Sequence, residues 1–176
     1  MLNVLNDAKK NILSEVLQIF AGIAILAICS QITINIKPVP ITLQTMWIIA
    51  IPYIYPGNKS VAVISGYLML GALGLPVFAN LNSSFAVFVG PTGGYLFGFL
   101  ASVLTMNLLK NRINIFFTCI LGQTIIYIFG ISWLAQFFGF YKAINVGLLH
   151  FIIPELIKTL MLIGVFRFFK ILIPTK

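Results

Sequence analysis

Glu155 and Lys158 lie three residues apart in an otherwise apolar stretch, Ile152-Ile153-Pro154-Glu155-Leu156-Ile157-Lys158. On a helix this spacing puts both side chains on one face, so a carboxylate and an ammonium stand side by side. An ionisable residue at membrane depth costs about 2.5–3.5 kcal/mol on insertion scales, which requires Lys158 to face a bundle interior, a cavity or an opposite charge. Such a pair suits a polar ligand that both donates and accepts hydrogen bonds. The alternative is local: Pro154 fills the first helical turn, Glu155 complements the helix dipole and Lys158 snorkels outward.

Three further segments hold candidate ligand groups. Gly90-Pro91-Thr92-Gly93-Gly94-Tyr95 opens a helix with Pro91 in its first turn, so the backbone N–H groups of Thr92, Gly93 and Gly94 are expected to be available to an anion or a carbonyl oxygen. Gly90, Gly94, Gly98 and Ser102 recur every fourth residue, and close helix packing is the reading for Gly98 and Ser102. No Gly-Lys-Ser/Thr follows these glycines, so they are not a phosphate loop, and any ATP used is hydrolysed by another protein. Val39-Pro40-Ile41-Thr42-Leu43-Gln44-Thr45 places Thr42, Gln44 and Thr45 within one turn. The connection from Pro76 to Val89 is uncharged and carries Phe78, Phe85 and Phe88. That is too apolar for a free loop, so it reads as a lid over a pocket, with Asn80 able to present its amide inward.

The elements that position these residues follow from composition. The chain has 176 residues, 60% hydrophobic and 8% charged, with mean hydropathy +1.08. A soluble domain is roughly 45–50% apolar and about 25% charged, so a soluble globular protein is excluded. Disorder is excluded too, because it needs the reverse balance. Apolar runs of about 20 residues span a bilayer, and Pro, Gly, Asn and Lys punctuation divides the chain into runs at 12–31, 41–55, 60–75, 91–109, 113–138 and 154–169. The expected fold is an all-α integral membrane protein, residues 1–176 forming one bundle of six transmembrane helices with a long external lid-like loop between helices 3 and 4.

Orientation comes from the eleven basic residues. With the N-terminus in the cytoplasm, Lys9, Lys10, Lys59, Lys110, Arg112, Arg167, Lys170 and Lys176 lie inside, and only Lys37 and Lys142 lie outside. The positive-inside rule therefore favours both termini cytoplasmic and an even number of spans. The starts of helices two, four and six then share the outer side, where the Thr/Gln turn, the Gly-rich turn and the Glu/Lys turn converge. Scattered in ones and twos, these cations read as topology signals and do not point to nucleic acid. Cys29 and Cys119 sit in apolar runs without ligand spacing, so neither a disulfide nor a metal site is expected, and no cleaved signal peptide is read around Leu26-Ala27-Ile28-Cys29.

Val39-Pro40-Ile41-Thr42-Leu43-Gln44-Thr45, Gly71-Ala72-Leu73-Gly74-Leu75-Pro76-Val77-Phe78-Ala79, Gly90-Pro91-Thr92-Gly93-Gly94-Tyr95-Leu96 and Leu156-Ile157-Lys158 resemble the BioY family. Its members are the biotin-binding substrate components, or S components, of energy-coupling-factor (ECF) vitamin transporters. The resemblance runs in order through about residues 38 to 165. It implies a multi-pass cell-membrane protein that is not an enzyme, needs no cofactor, captures biotin from outside, and docks on a transmembrane coupling subunit driven by two ATPase subunits. By this resemblance Asn80, the turn holding Thr92, Gly93 and Tyr95, and Lys158 contact biotin, with Glu155 where the family usually has Asp. The family's usual Pro-Gly-Asp here reads Ile153-Pro154-Glu155, one methylene longer and more rigid. S components dock through small residues of the first helix, which points to Ala21, Ala24 and Ala27, although their spacing is three residues and not the four of AxxxA.

The ligand class agrees with the residue chemistry. Biotin has a ureido group, an apolar thiophane ring and a carboxylated tail. Asn80, Gln44 and Glu155 offer amides and a carboxylate, Phe78 and Tyr95 offer aromatic walls, and Lys158 offers a cation. Glu155 and Asn80 are assigned to ligand donors, and Lys158 to an acceptor or the carboxylate. The mildest alternative is a ligand other than biotin, such as another vitamin, and two rival readings from other classes stay open. A self-sufficient secondary transporter would use Glu155 to carry a coupling proton, against which stands the lack of an evident inverted repeat. A membrane-embedded enzyme would use Glu155 as base and Lys158 as electrophile, against which stand one His, three acids and no metal-ligand cluster.

Overall fold

The computed structural model describes residues 2–55 and 57–169, with side chains from residue 11 onward. Lys9, Lys10, Lys170 and Lys176, which enter the charge count above, lie outside the described side chains. Each of the six expected apolar runs contains a helix: α1 (Leu2–Gln31), α2 (Gln44–Ile54), α3 (Asn58–Ala72), α5 (Gly93–Leu109), α6 (Ile115–Phe138) and α8 (Ile152–Phe168). Between them lie two short helices, α4 (Ala86–Val89) and α7 (Phe140–Ile144), a 3₁₀ turn at Ala79–Leu81 and a π turn at Asn145–Leu149. Three helical stretches, Asn11–Gln31, Ile115–Phe138 and Phe140–Phe168, are long and apolar enough to cross a membrane, and Gln44–Ile54 and Gly93–Leu109 are shorter apolar helices.

Boundaries differ from expectation for local reasons. Helix α1 starts at Leu2 and not Ile12, because no Gly or Pro interrupts the polar residues before the apolar run. The second run was expected to be helical from Ile41. Pro38 and Pro40 cannot donate to a helix ladder, and the chain instead forms a two-strand hairpin, β1 (Thr33–Ile34) against β2 (Ile41–Thr42), paired Thr33 to Thr42 and Ile34 to Ile41. Residues 139–153 were expected to connect, yet α7 and the π turn fill them after Gly139, whose φ of 79° ends α6.

The burial pattern is inside-out relative to a water-soluble protein. On α8 the residues Glu155, Lys158, Thr159, Leu162, Ile163 and Phe166 are buried, while Ile153, Ile157, Leu160 and Met161 are each more than half exposed. The polar side chains Ser30, Gln44, Ser60, Ser102, Thr118 and Gln123 are also buried. A chain that hides its polar groups and displays Ile, Leu, Met and Phe is built for an apolar surround.

Helices α5 and α6 meet through glycine. A methyl group added at Gly98 would stand 2.9 Å from Ile126 Cα, and one at Gly94 would stand 2.3 Å from Trp133 Cβ. From α6, a methyl at Gly130 would meet the Tyr95 ring at 2.3 Å, and one at Gly122 the Met106 sulfur at 2.4 Å. The small-residue stripe therefore sets the distance between two backbones, which is how membrane helices gain contact without a hydrophobic drive. The core divides into a large cluster around Ile48, Ile64, Tyr67, Phe99, Val103 and Ile126, and a smaller one around Ile49, Met106, Cys119, Leu162 and Phe166. Cys119 is buried in the second, and Cys29 is half-buried on α1.

Candidate functional site

A cavity of about 700 Å³ opens where the hairpin loop, the 78–92 connection and the starts of α2, α5 and α8 come together. Its wall includes Lys37, Thr42, Gln44 and Thr45 from the hairpin side, Phe78, Asn80 and Asn82 from the connection, Thr92, Tyr95 and Phe99 from α5, Tyr127 from α6, and Phe151 and Glu155 near the start of α8. The volume lies in the usual range for small-molecule sites, and a few polar groups in an apolar wall is their usual chemistry.

The floor is an ion pair held by hydrogen bonds. Lys158 Nζ donates to Glu155 Oε1 at 2.6 Å, to Thr45 Oγ1 at 2.9 Å and to the Thr42 carbonyl at 2.7 Å. An ammonium has three donors, and all three are engaged. The Thr45 hydroxyl lies 2.9 Å from both carboxylate oxygens of Glu155. Gln123 Nε2 donates to Glu155 Oε2 at 3.1 Å and to Thr159 Oγ1 at 2.9 Å. Both charges are buried, Glu155 at 4% exposure and Lys158 at 8%. Burial of two charges is tolerated only with such geometry, because desolvation costs several kcal/mol per ion. Lys158 turns inward to its partners and does not snorkel. It stands behind Glu155, outside the cavity wall.

The connection from Gly74 to Gly90 is fastened over the cavity from three sides. Gln31, at the end of α1, donates from Nε2 to the Phe78 carbonyl at 3.0 Å and accepts the Leu81 N–H at Oε1, 2.9 Å. Ser30 Oγ donates to the Val77 carbonyl at 2.6 Å. Gln44 Nε2 donates to the Tyr67 hydroxyl at 2.9 Å, which donates to Val77 O at 3.0 Å. Phe78, 3% exposed, packs edge-on to Tyr67 and Phe88. Its ring occupies the space a Cβ at Gly71 would fill, 2.1 Å away. Asn80 adopts φ 59°, a left-handed conformation that Asn tolerates better than most residues. Its Oδ1 accepts a bond from the Thr33 hydroxyl at 3.3 Å, joining the connection to β1.

A model of the BioY family matches residues 4–175. The chain belongs to the BioY family. It is 36% identical over 161 residues to a protein of Rickettsia prowazekii named "Probable biotin transporter BioY", covering 89% of this chain and 83% of that one. It is 38% identical over 149 residues to the "Biotin transporter BioY" of Thermotoga maritima, covering 78% and 86%. Its fold resembles the crystal structure of "the S-component for biotin from an ECF-type ABC transporter", with a TM-score of 0.79 and 22% identity, covering 92% of this chain and 93% of that one.

Within this BioY chain the sequence-predicted residues are placed unequally. Gln44, Phe78, Asn80, Thr92, Tyr95 and Glu155 share the cavity wall. Tyr95 offers its ring, since its hydroxyl donates to the Gly147 carbonyl at 2.9 Å. Lys158 lies one layer back. Gly93 is not on the wall: its N–H, expected to await an anion, donates to Gly90 O at 3.0 Å, and a Cβ there would stand 1.9 Å from the Phe88 carbonyl oxygen. Its role is close passage of two backbone segments. Ala21 and Ala24 are exposed on α1 and Ala27 is half-buried. Sequence reasoning missed Tyr127, Phe151 and Gln123. For Gln123 a partial signal existed, since it is an amide in the middle of the apolar run of α6, where Gln136 lies near the end, but nothing in the sequence pairs it with Glu155.

Proposed function

We propose that this chain captures biotin from the outer side of a cell membrane, as the S component of an ECF-type importer whose ATPases reside on other subunits. The observation that carries the reading is the placement of Glu155 at the cavity floor. Three donors, Lys158, Thr45 and Gln123, fix the orientation of the carboxylate, so the lone pair they leave is pre-oriented to accept a ureido N–H without reorganising. Phe78, Tyr95, Phe99 and Tyr127 supply aromatic wall for the thiophane and the aliphatic tail. The Asn80 amide on the lid reaches the same space. Six crossings, formed by α1, α2, α3, α5, α6 and α8, account for the apolar exposed faces. With Lys59, Lys110, Arg112 and Arg167 at one end of the bundle and Lys37 and Lys142 at the cavity end, the positive-inside rule sets both termini in the cytoplasm. The exposed face of α1 with Ala21 and Ala24, and with half-buried Ala27 at its edge, serves as the surface toward the coupling subunit.

The relatives' names and the shared fold support this reading. It is tested by uptake of labelled biotin into cells that lack their own biotin importer and express this chain with or without an ECF coupling subunit and its ATPases. Accumulation that requires ATPase-competent partners is the expected result. Accumulation equally fast without them would replace the S-component reading with a self-sufficient transporter.

A further inference from the structure

The cavity wall carries two charged side chains, Glu155 at the floor and Lys37 at the mouth. They differ in what surrounds them. Glu155 is neutralised by Lys158, and the Lys158 ammonium is fully engaged by Glu155, Thr45 and Thr42. The cation that sequence reasoning assigned to a ligand carboxylate thus has no donor left to offer. Glu15, the other acidic side chain described, pairs with Lys59 at 3.1 Å. Lys37 forms no ion pair among the described residues and is exposed. Its backbone is held in place: it precedes Pro38 in the hairpin loop whose strands pair Thr33 with Thr42 and Ile34 with Ile41, and Pro38 and Pro40 have fixed φ. The floor is therefore net neutral and the mouth carries one positive charge.

We infer that Lys37 is a specificity-determining residue that receives the anionic end of the ligand at the cavity mouth, while the Glu155 floor receives its neutral hydrogen-bonding end. This rests on the biotin reading and deepens it by fixing which way the ligand lies: ureido ring inward, carboxylate outward against Lys37. A site built this way distinguishes the free acid from a derivative whose carboxyl is neutralised. Because Lys37 is solvent-accessible, the contribution is modest and salt-sensitive.

The test compares the affinity of biotin with that of biotin amide for the purified chain, in wild type and in Lys37→Ala, Lys37→Glu and Lys37→Arg, with thermal melting of each variant. Wild type is expected to bind the acid severalfold tighter than the amide, with the margin narrowing as salt is raised. Lys37→Ala should lose the margin by weakening the acid alone, Lys37→Glu should reverse it, and Lys37→Arg should keep it, all with wild-type melting. Unchanged preference for the acid in Lys37→Ala, or equal binding of both ligands by wild type, would overturn the assignment. Failure of wild type to bind either ligand would overturn the biotin reading itself, and is distinguishable from both.

Discussion

The Glu155 carboxylate bridges two helices that are far apart in sequence, reached by Thr45 of α2 at 2.9 Å and by Gln123 of α6 at 3.1 Å, while Lys158 of its own helix stands 2.6 Å away. The carboxylate is thus both the cavity floor and the fastening of α2, α6 and α8. Substitutions here act on stability and on affinity together, and the two must be read separately.

Lys158→Ala is expected to destabilise the protein strongly, since removing one member of a buried pair leaves the other uncompensated, at about 3–5 kcal/mol. Part of that loss should appear as a lowered melting temperature and part as weakened biotin binding. Glu155→Asp keeps the charge and should retain binding. A double-mutant cycle with Thr45→Val would show coupling, because the Thr45 hydroxyl contacts both charges. Additive losses would mean that the three groups do not act as one network.

Gly71→Ala should reduce affinity more than stability. The added methyl would sit 2.1 Å from the Phe78 ring, and the ring must swing into the cavity or draw the connection outward. Gly93→Ala should instead impair folding, because the obstacle there is the Phe88 backbone carbonyl at 1.9 Å, which has no rotamer to change. Melting curves and biotin titrations on both variants check the contrast.

Gln31→Ala should loosen the lid. The side chain fixes Phe78 through its N–H donor and Leu81 through its oxygen, and its loss leaves the 78–82 backbone held by fewer contacts. Hydrogen exchange should quicken across Phe78 to Val89 in the variant and slow there in wild type when biotin is added. Protection unchanged by biotin would remove the lid from the account.

What the sequence made legible was what periodicity and charge encode. The six apolar runs each hold a helix, and the i, i+3 spacing of Glu155 and Lys158 correctly predicts two side chains on one face. Convergence of the α2, α5 and α8 starts on one cavity followed from helix parity. The hairpin at 33–42 was not legible, because two-residue strands leave no alternation to detect, although Pro38 and Pro40 already argued against a helix. The role of Gly93 depends on how near Phe88 passes, which is a tertiary fact. Likewise, the count of acceptors around Lys158 decides whether it faces the ligand, and Thr42 O and Thr45 Oγ1 lie more than 100 residues away in sequence.

The measurement that bears most directly on the central claim is titration calorimetry of the detergent-purified chain, alone and without nucleotide, against biotin and a panel of other vitamins. All the cavity residues belong to this one chain, so stoichiometric binding of one biotin per chain, tighter than any other vitamin and weakened by Lys158→Ala, is the predicted result. Tighter binding of a different vitamin, or wild-type biotin affinity in Lys158→Ala, would contradict the account.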